Sequence, residues 1–274
     1  MLTLRAALHY NPYMSWASRR RLIYLTGVIL FLAIVIGGPI AYKILSIKET
    51  CFDGKQNQTE SAVDKGGPCV LLDERTLAPY GVMWARSFPL REGFYTAVAY
   101  ISNPNPEAGV RVAHYRLGLY DSQNVLVAEK KGTTFIMPGC ITPILEGPIE
   151  TGNREVVHTY LEITDEDLVW ERMTNPAEEI KVSNQQITES PVGPRIDARA
   201  TNVGLDVRRN ISFIVTILDP AGNAFSASRT ALPSLAPDAS VGINFTWPLP
   251  FAAPIGRIDI IPLLPPVPAP LAAE

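Results

Sequence analysis

Residues 213–223 read FIVTILDPAGN and residues 115–124 read YRLGLYDSQN, and the likeness of these two stretches decides the fold. Each is an apolar run that ends in Asp and passes into a polar turn. Asp219-Pro220-Ala221-Gly222-Asn223 and Asp121-Ser122-Gln123-Asn124 are rich in residues that tolerate the backbone of a hairpin. Ala224-Phe225-Ser226-Ala227 follows one turn, and Val125-Leu126-Val127-Ala128 follows the other. Upstream stand Ala198–Asn202 and Ala99–Asn103; downstream, Pro237-Asp238 and Pro138-Gly139 turn the chain again. Asn103 and Asn202, Asp121 and Asp219, Gly139 and Asp238 recur at offsets of 99, 98 and 99 residues. A steady offset over such a span indicates an internal duplication.

The patterning within each copy is that of short strands. Ile211, Phe213, Val215 and Ile217 alternate with Ser212, Ile214, Thr216 and Leu218. The second set is mixed, so one face is expected in a core and the other partly exposed. Val241, Ile243, Phe245 and Trp247 alternate more cleanly with Gly242, Asn244 and Thr246. Short strands separated by turn signals are the mark of an immunoglobulin-like or related β-sandwich, although neither copy carries the Cys…Trp…Cys pattern of true immunoglobulin domains.

Upstream of the duplication, Leu22–Tyr42 carries no charge. Its 21 residues reach roughly 30 Å as a helix, the thickness of a bilayer core. Arg19, Arg20 and Arg21 precede it, with Tyr10, Tyr13 and Trp16 as an interfacial aromatic belt. Basic residues stay on the cytoplasmic side, so the N-terminus is expected inside and the body outside. A cleavable signal peptide is the rival reading; the apolar run is too long for one, and Tyr42-Lys43-Ile44-Leu45 makes a poor cleavage site. Residues 1–50 hold six Lys/Arg and one Asp/Glu, and the whole chain has a net charge of −3. The remainder is therefore acidic, which argues against a nucleic-acid surface.

Between the helix and the first copy lies CFDGKQNQTESAVDKGGPC, residues 51–69. Asp53, Asn57, Glu60 and Asp64 place oxygen ligands every three or four residues, a set that Ca²⁺ accepts. The spacing is not that of an EF-hand, and a solvated, disulfide-closed loop without metal is the commoner meaning of such acidic residues. Closing a loop of this size with a disulfide would stabilise it by roughly 3 kcal/mol.

The segment resembles the cysteine-rich repeat C-x-D-G-x-x-N-x-x-E-x-x-x-D-C-G-G-x-C of bacterial surface proteins. The match runs through Cys51, Asp53, Gly54, Asn57, Glu60, Asp64, Gly66, Gly67 and Cys69, with Lys65 at the place of the middle cysteine. The resemblance implies a cell-surface setting and, with the middle thiol gone, a Cys51–Cys69 pairing. The duplicated region in turn is similar to the FxLYD family of bacterial β-sandwich domains. Its motif stands as Leu117-x-Leu119-Tyr120-Asp121 and decays to Val215-x-Ile217-Leu218-Asp219 in the second copy. That resemblance implies membrane-anchored or secreted domains without assigned catalysis.

The expected architecture is mainly β, with one N-terminal transmembrane helix followed by two tandem immunoglobulin-like, FxLYD-like sandwiches. A cytoplasmic segment spans 1–21, the helix 22–42, and a stalk with the disulfide-closed loop 43–72. The sandwiches span 73–164 and 186–262, joined by a linker over 165–185. Thr164 and Asp167 match a helix-start pattern, so a short linker helix or turn is expected there. A proline-rich tail, 263–274, is expected extended and inert.

Catalytic patterns are missing. Beyond the apolar segment only His114 and His158 occur, outside any metal-binding spacing. No GxSxG, Walker or GxGxxG motif is present. Cys140 is expected to be a small buried residue, with intermolecular pairing as the alternative. The expectation is a non-enzymatic membrane-anchored envelope protein with a protein or envelope-polymer partner. No cofactor is expected beyond the Ca²⁺ that Asp53, Asn57, Glu60 and Asp64 could hold.

Overall fold

The computed structural model describes residues 16–45, 51–57, 59–164, 168–188 and 193–269. Two compact units divide the chain at Thr50 and Cys51. In the first, helix α1 (Trp16–Leu32) passes through a π-helical turn (Ala33–Gly37) into α2 (Gly38–Leu45). The widened turn sits just before Pro39, whose ring has no N–H to donate and crowds the carbonyl four residues back. From Trp16 to Lys43 the helix is long and apolar enough to cross a membrane. It starts earlier than the uncharged run and takes in the arginines, with the Arg20 guanidinium 4.1 Å from the centre of the Trp16 ring. Tyr10 and Tyr13 lie outside the described residues.

The second unit is built almost wholly of antiparallel strands. The first sandwich has an inner sheet of β1 (Gly81–Arg91), β2 (Phe94–Ser102) and β5 (Ile141–Glu150), ordered β1-β2-β5. Its outer sheet holds β3 (Ala108–Tyr120), β4 (Leu126–Ile136), β6 (His158–Ile163) and β7 (Trp170–Thr174). In that sheet β3 is central, with β4 on one side and β6 and β7 following each other along the opposite edge.

The second sandwich follows the same plan. Here β9 (Arg195–Asn202) lies between β8 (Ile180–Thr188) and β12 (Ser240–Thr246). Facing that sheet, β10 (Arg208–Leu218) lies between β11 (Ala224–Leu235) and β13 (Arg257–Leu263).

Matching bonds hold matching turns. The Asp121 side chain accepts from Val125 N at 2.9 Å, and that of Asp219 accepts from Asn223 N at 2.7 Å. Buried Asn103 donates to the carbonyls of Ala108 and Met137; buried Asn202 donates to those of Asp206 and Leu235. Each asparagine therefore satisfies carbonyls that the bending chain leaves without a sheet partner.

The two sandwiches pack face to face, giving four layers. Ala97, Ala99 and Ile101 point into the first core, with Leu117 and Leu119 opposite. Ile211, Phe213, Val215 and Ile217 fill the second core with Ile196, Ile243, Phe245 and Trp247. Between the sandwiches Phe88, Val98 and Tyr100 meet Leu218, Ala224 and Ala227. Trp84 lies against Tyr100 with ring centres 4.3 Å apart. Desolvation pushes the Tyr100 hydroxyl up to about 12, while the Thr216 hydroxyl beside it acts the other way. Arg86 crosses the contact, donating to the Ala224 carbonyl and to Asn223 Oδ1. The β10 face expected to be partly exposed is thus buried: Ile214 is 2% and Thr216 0% accessible. Its partner is the other sandwich rather than solvent.

Three expected boundaries change. The stretch 165–185, expected as linker, holds β7 and the start of β8. Trp170 and Met173 are buried in the first sandwich, and Ile180 in the second. A single 3₁₀ turn, Pro176–Glu179, capped by Asn175, joins the two strands; the acids at 165–167, where the helix-start pattern falls, lie outside the described residues. The tail expected over 263–274 buries Leu264 and adds β14 (Val267–Pro268) to β7. The stalk expected over 43–72 is docked at its C-terminal end, where Leu71 pairs with Glu171 on β7.

The contact between the sandwiches predicts its own energetic weight. Leu218→Ala should lower the unfolding free energy by roughly 2–5 kcal/mol, as for other large-to-small changes in packed cores. Urea titration of the full chain in detergent measures this. A change within experimental error would show that the two sandwiches are stable without their mutual contact.

Candidate functional site

The loop before the first sandwich is folded by its own carboxylates. Cys51 and Cys69 are joined in a disulfide with Cα atoms 5.4 Å apart. Asp64 accepts from Asp53 N at 3.1 Å and from Gly54 N at 3.0 Å. Asp53 accepts from Lys55 N at 2.9 Å and from the Asn57 side-chain amide at 3.0 Å. Glu60, which is buried, accepts from Asn57 N at 3.1 Å. Gly66 has φ +80°, and a Cβ there would come within 2.3 Å of Ser61 Oγ, so the turn tolerates only glycine. Asp53, Asn57 and Asp64 thus form one bonded chain. Glu60 meets this chain through one carboxylate oxygen, at Asn57 N, while the other lies beside the Cys51 and Cys69 sulfurs. Those sulfurs are spent in the disulfide and offer no thiolate to a metal.

Immediately beyond the loop, Asp73 caps the short turn Glu74–Thr76 and holds Arg75 through two bonds of 2.9 and 2.7 Å. The Arg75 guanidinium holds the Asp73 carboxyl down from 3.8 to about 2.

A groove of about 340 Å³ lies where the first sandwich opens toward the second. Phe135, Leu145, Ile214 and Leu263 supply apolar walls, and Tyr115, Glu146 and Arg229 the polar groups. The buried Tyr115 hydroxyl donates to the Glu146 carboxylate. Burial, with that carboxylate adding to it, pushes the phenol well above its ordinary value. The phenol therefore stays protonated and is placed to orient a ligand in the groove. Neither residue stood out in the sequence. Gly132 was the available signal, because any side chain there would overlap the Tyr115 ring.

Cys140 is the free thiol, half-buried at the turn between β4 and β5. The Asn175 side-chain amide donates to its sulfur at 3.3 Å. Burial pushes the thiol up to about 11, with the charge of Glu178 adding to the effect. A nucleophilic cysteine needs the opposite, a lowered pKa and an adjacent base. His114 and His158 both lie exposed on the outer sheet of the first sandwich.

Two expectations follow. Cys140 in the folded chain should react with N-ethylmaleimide at pH 8 at least about tenfold more slowly than glutathione, because its thiolate fraction is small; an equal rate would contradict the burial. The Asp73 carboxyl has a lower pKa folded than unfolded. The stability it adds is complete above 3.8 and is lost as pH falls toward about 2. Urea unfolding of wild type and Asp73→Asn should therefore diverge above that window and converge below it. Parallel pH profiles would show that the ion pair contributes nothing.

No protein-family model matches the chain, and no curated protein does. Among solved structures it is similar to the crystal structure of red sea bream transglutaminase, at 10% identity and a TM-score of 0.23 over 69% of this chain. The chain spans 30% of that protein's length. A likeness at this level carries no argument about activity.

Proposed function

We propose that the chain is a membrane-anchored, non-catalytic component of the bacterial cell envelope. In this reading residues 1–21 are cytoplasmic, and the two sandwiches stand outside the membrane as binding and structural modules. The observation that carries it is the Cys51–Cys69 disulfide, which follows a long apolar helix whose uncharged run has Arg19–Arg21 on its near side. Disulfides persist outside the cytoplasm, and arginines are retained within it.

Other features support the reading. Leu117 and Leu119 of the FxLYD-like motif are buried, and Asp121 closes its turn. The equivalent bonds of Asn103 and Asn202 fit two copies of one ancestral domain. The raised pKa values of the Cys140 thiol and the Tyr115 phenol favour binding over catalysis. A subunit of a secretion or pilus-type assembly is the second reading, favoured by β14, where a short extended segment pairs with the edge of β7.

Cysteine labelling in intact cells tests the orientation. In a chain with Cys140 replaced by Ser, an impermeant maleimide should reach a thiol introduced at Asn223 and miss one at Ser15. The reverse pattern would refute the placement.

A further inference from the structure

We propose that the uncovered face of the outer sheet of the first sandwich binds a neutral polysaccharide. Arg116, Gly118 and Tyr120 of β3 point outward there, beside Tyr160 and Glu162 of β6 and Glu129 of β4. A Cβ on Gly118 would lie 2.7 Å from Tyr120 Cε2, so the Tyr120 ring lies across the glycine and against the sheet. Tyr160 meets it edge-on with ring centres 5.4 Å apart, and His158 stacks on Tyr160 at 27°. Tyr160 is 52% exposed. Beside the rings Arg116 is held between Glu129 and Glu162, at 2.9 and 2.5 Å. A shallow depression of about 400 Å³ continues the face past Arg116 to His114, Lys131 and Thr164. The rise of a strand puts His114 roughly 20 Å from Tyr120, so the ligand is an extended chain.

The second sandwich shows what this face is otherwise used for. There Leu218, Thr216 and Ile214 stand where the first sandwich has Tyr120, Gly118 and Arg116. All three are buried against the neighbouring sandwich, at 4%, 0% and 2% accessible. Among the described residues the opposite end of the stack is also open, and its outer face carries Arg195, Asp197, Arg199, Gly242 and Asn244 in place of aromatic rings. Closing the stack against water therefore needs polar residues only. The rings of the first sandwich answer to a different demand.

That demand is met by a sugar. A pyranose has an apolar C–H face that stacks on an aromatic ring, and hydroxyls that pair with carboxylate and guanidinium groups. Two acids, Glu129 and Glu162, balance two bases, Arg116 and Lys131, on this face. The balance suits an uncharged polymer better than a polyanion. The inference rests on the extracytoplasmic reading only for where such a polymer is met; binding itself is independent of topology.

The test uses the purified full chain in detergent micelles, with cellohexaose and chitohexaose as probes. Saturation-transfer NMR and calorimetry should detect binding of at least one. Tyr160→Ala should weaken it at least about tenfold, the loss expected when a stacking contact is removed. Tyr160→Phe, which keeps the ring, should stay near wild type, as should Asn244→Ala at the other end of the stack. Circular dichroism confirms that the variants are folded. No binding of either probe, or binding indifferent to Tyr160→Ala and Tyr120→Ala, overturns the proposal. Self-association lost in Tyr160→Ala without sugar binding also overturns it, making the face a contact between copies. Labelling that reverses the topology while sugar binding persists would refute the placement alone.

Discussion

The burial of β2 and β10 on both faces is the constraint on which the rest of the architecture depends. An ordinary sandwich strand alternates between core and water. In β2, every residue from Thr96 to Ile101 is buried, and in β10 the run from Phe213 to Leu218 is buried likewise. One face of each strand serves its own sandwich and the other serves the contact between sandwiches. Two strands placed this way convert two separate modules into one four-layer body. The sequence of β10 shows the result directly: IVTIL is nearly continuous, as it is wherever a strand has no wet side.

The turns were legible because they rest on local chemistry. Asp121 and Asp219 accept backbone N–H groups a few residues away, and such residues leave the same signature in any protein. The partner of a buried face is not local. Ser212 and Thr216 made the outward side of β10 look half-wet, and nothing nearby showed that Val98 and Tyr100, more than a hundred residues earlier, would cover it. Strand β7 was hidden for a related reason. Its apolar residues, Trp170 and Met173, follow an acidic run and are interrupted by Glu171 and Arg172, so a capped linker was the natural local reading. Those charges are explained only in three dimensions, where Arg172 pairs with Glu107 and Arg111 with Glu171. For the loop at Cys51–Cys69 the residues of interest were visible, but their spacing could not show that Asp53, Glu60 and Asp64 accept from the loop's own N–H groups.

The two end faces of the stack explain why layering stops at four. The inner sheet of the first sandwich offers Trp84, Val98, Tyr100 and Leu145 to its neighbour. The corresponding sheet of the second sandwich carries Ser183, Asp197, Arg199 and Asn244 at the matching positions. A further sandwich would have to strip water from those groups without supplying partners. Edge protection follows a similar logic: β4 is an edge strand and carries Glu129, Lys130 and Lys131.

Strand β7 has a mechanical consequence. Its inner edge pairs with β3. Along its outer edge, Leu72 N donates to the Trp170 carbonyl and Arg172 N to that of Val70, while Ala269 N donates to the carbonyl of Arg172. The entry and exit of the body are thus hydrogen-bonded to one strand of five residues. Tension applied between the segment before Val70 and the segment around Ala269 enters and leaves through this single element. It shears a few bonds along one edge and leaves the interleaved cores of both sandwiches unloaded. The body behaves as a closed loop with a clasp, and the clasp gives way before either sandwich is stretched.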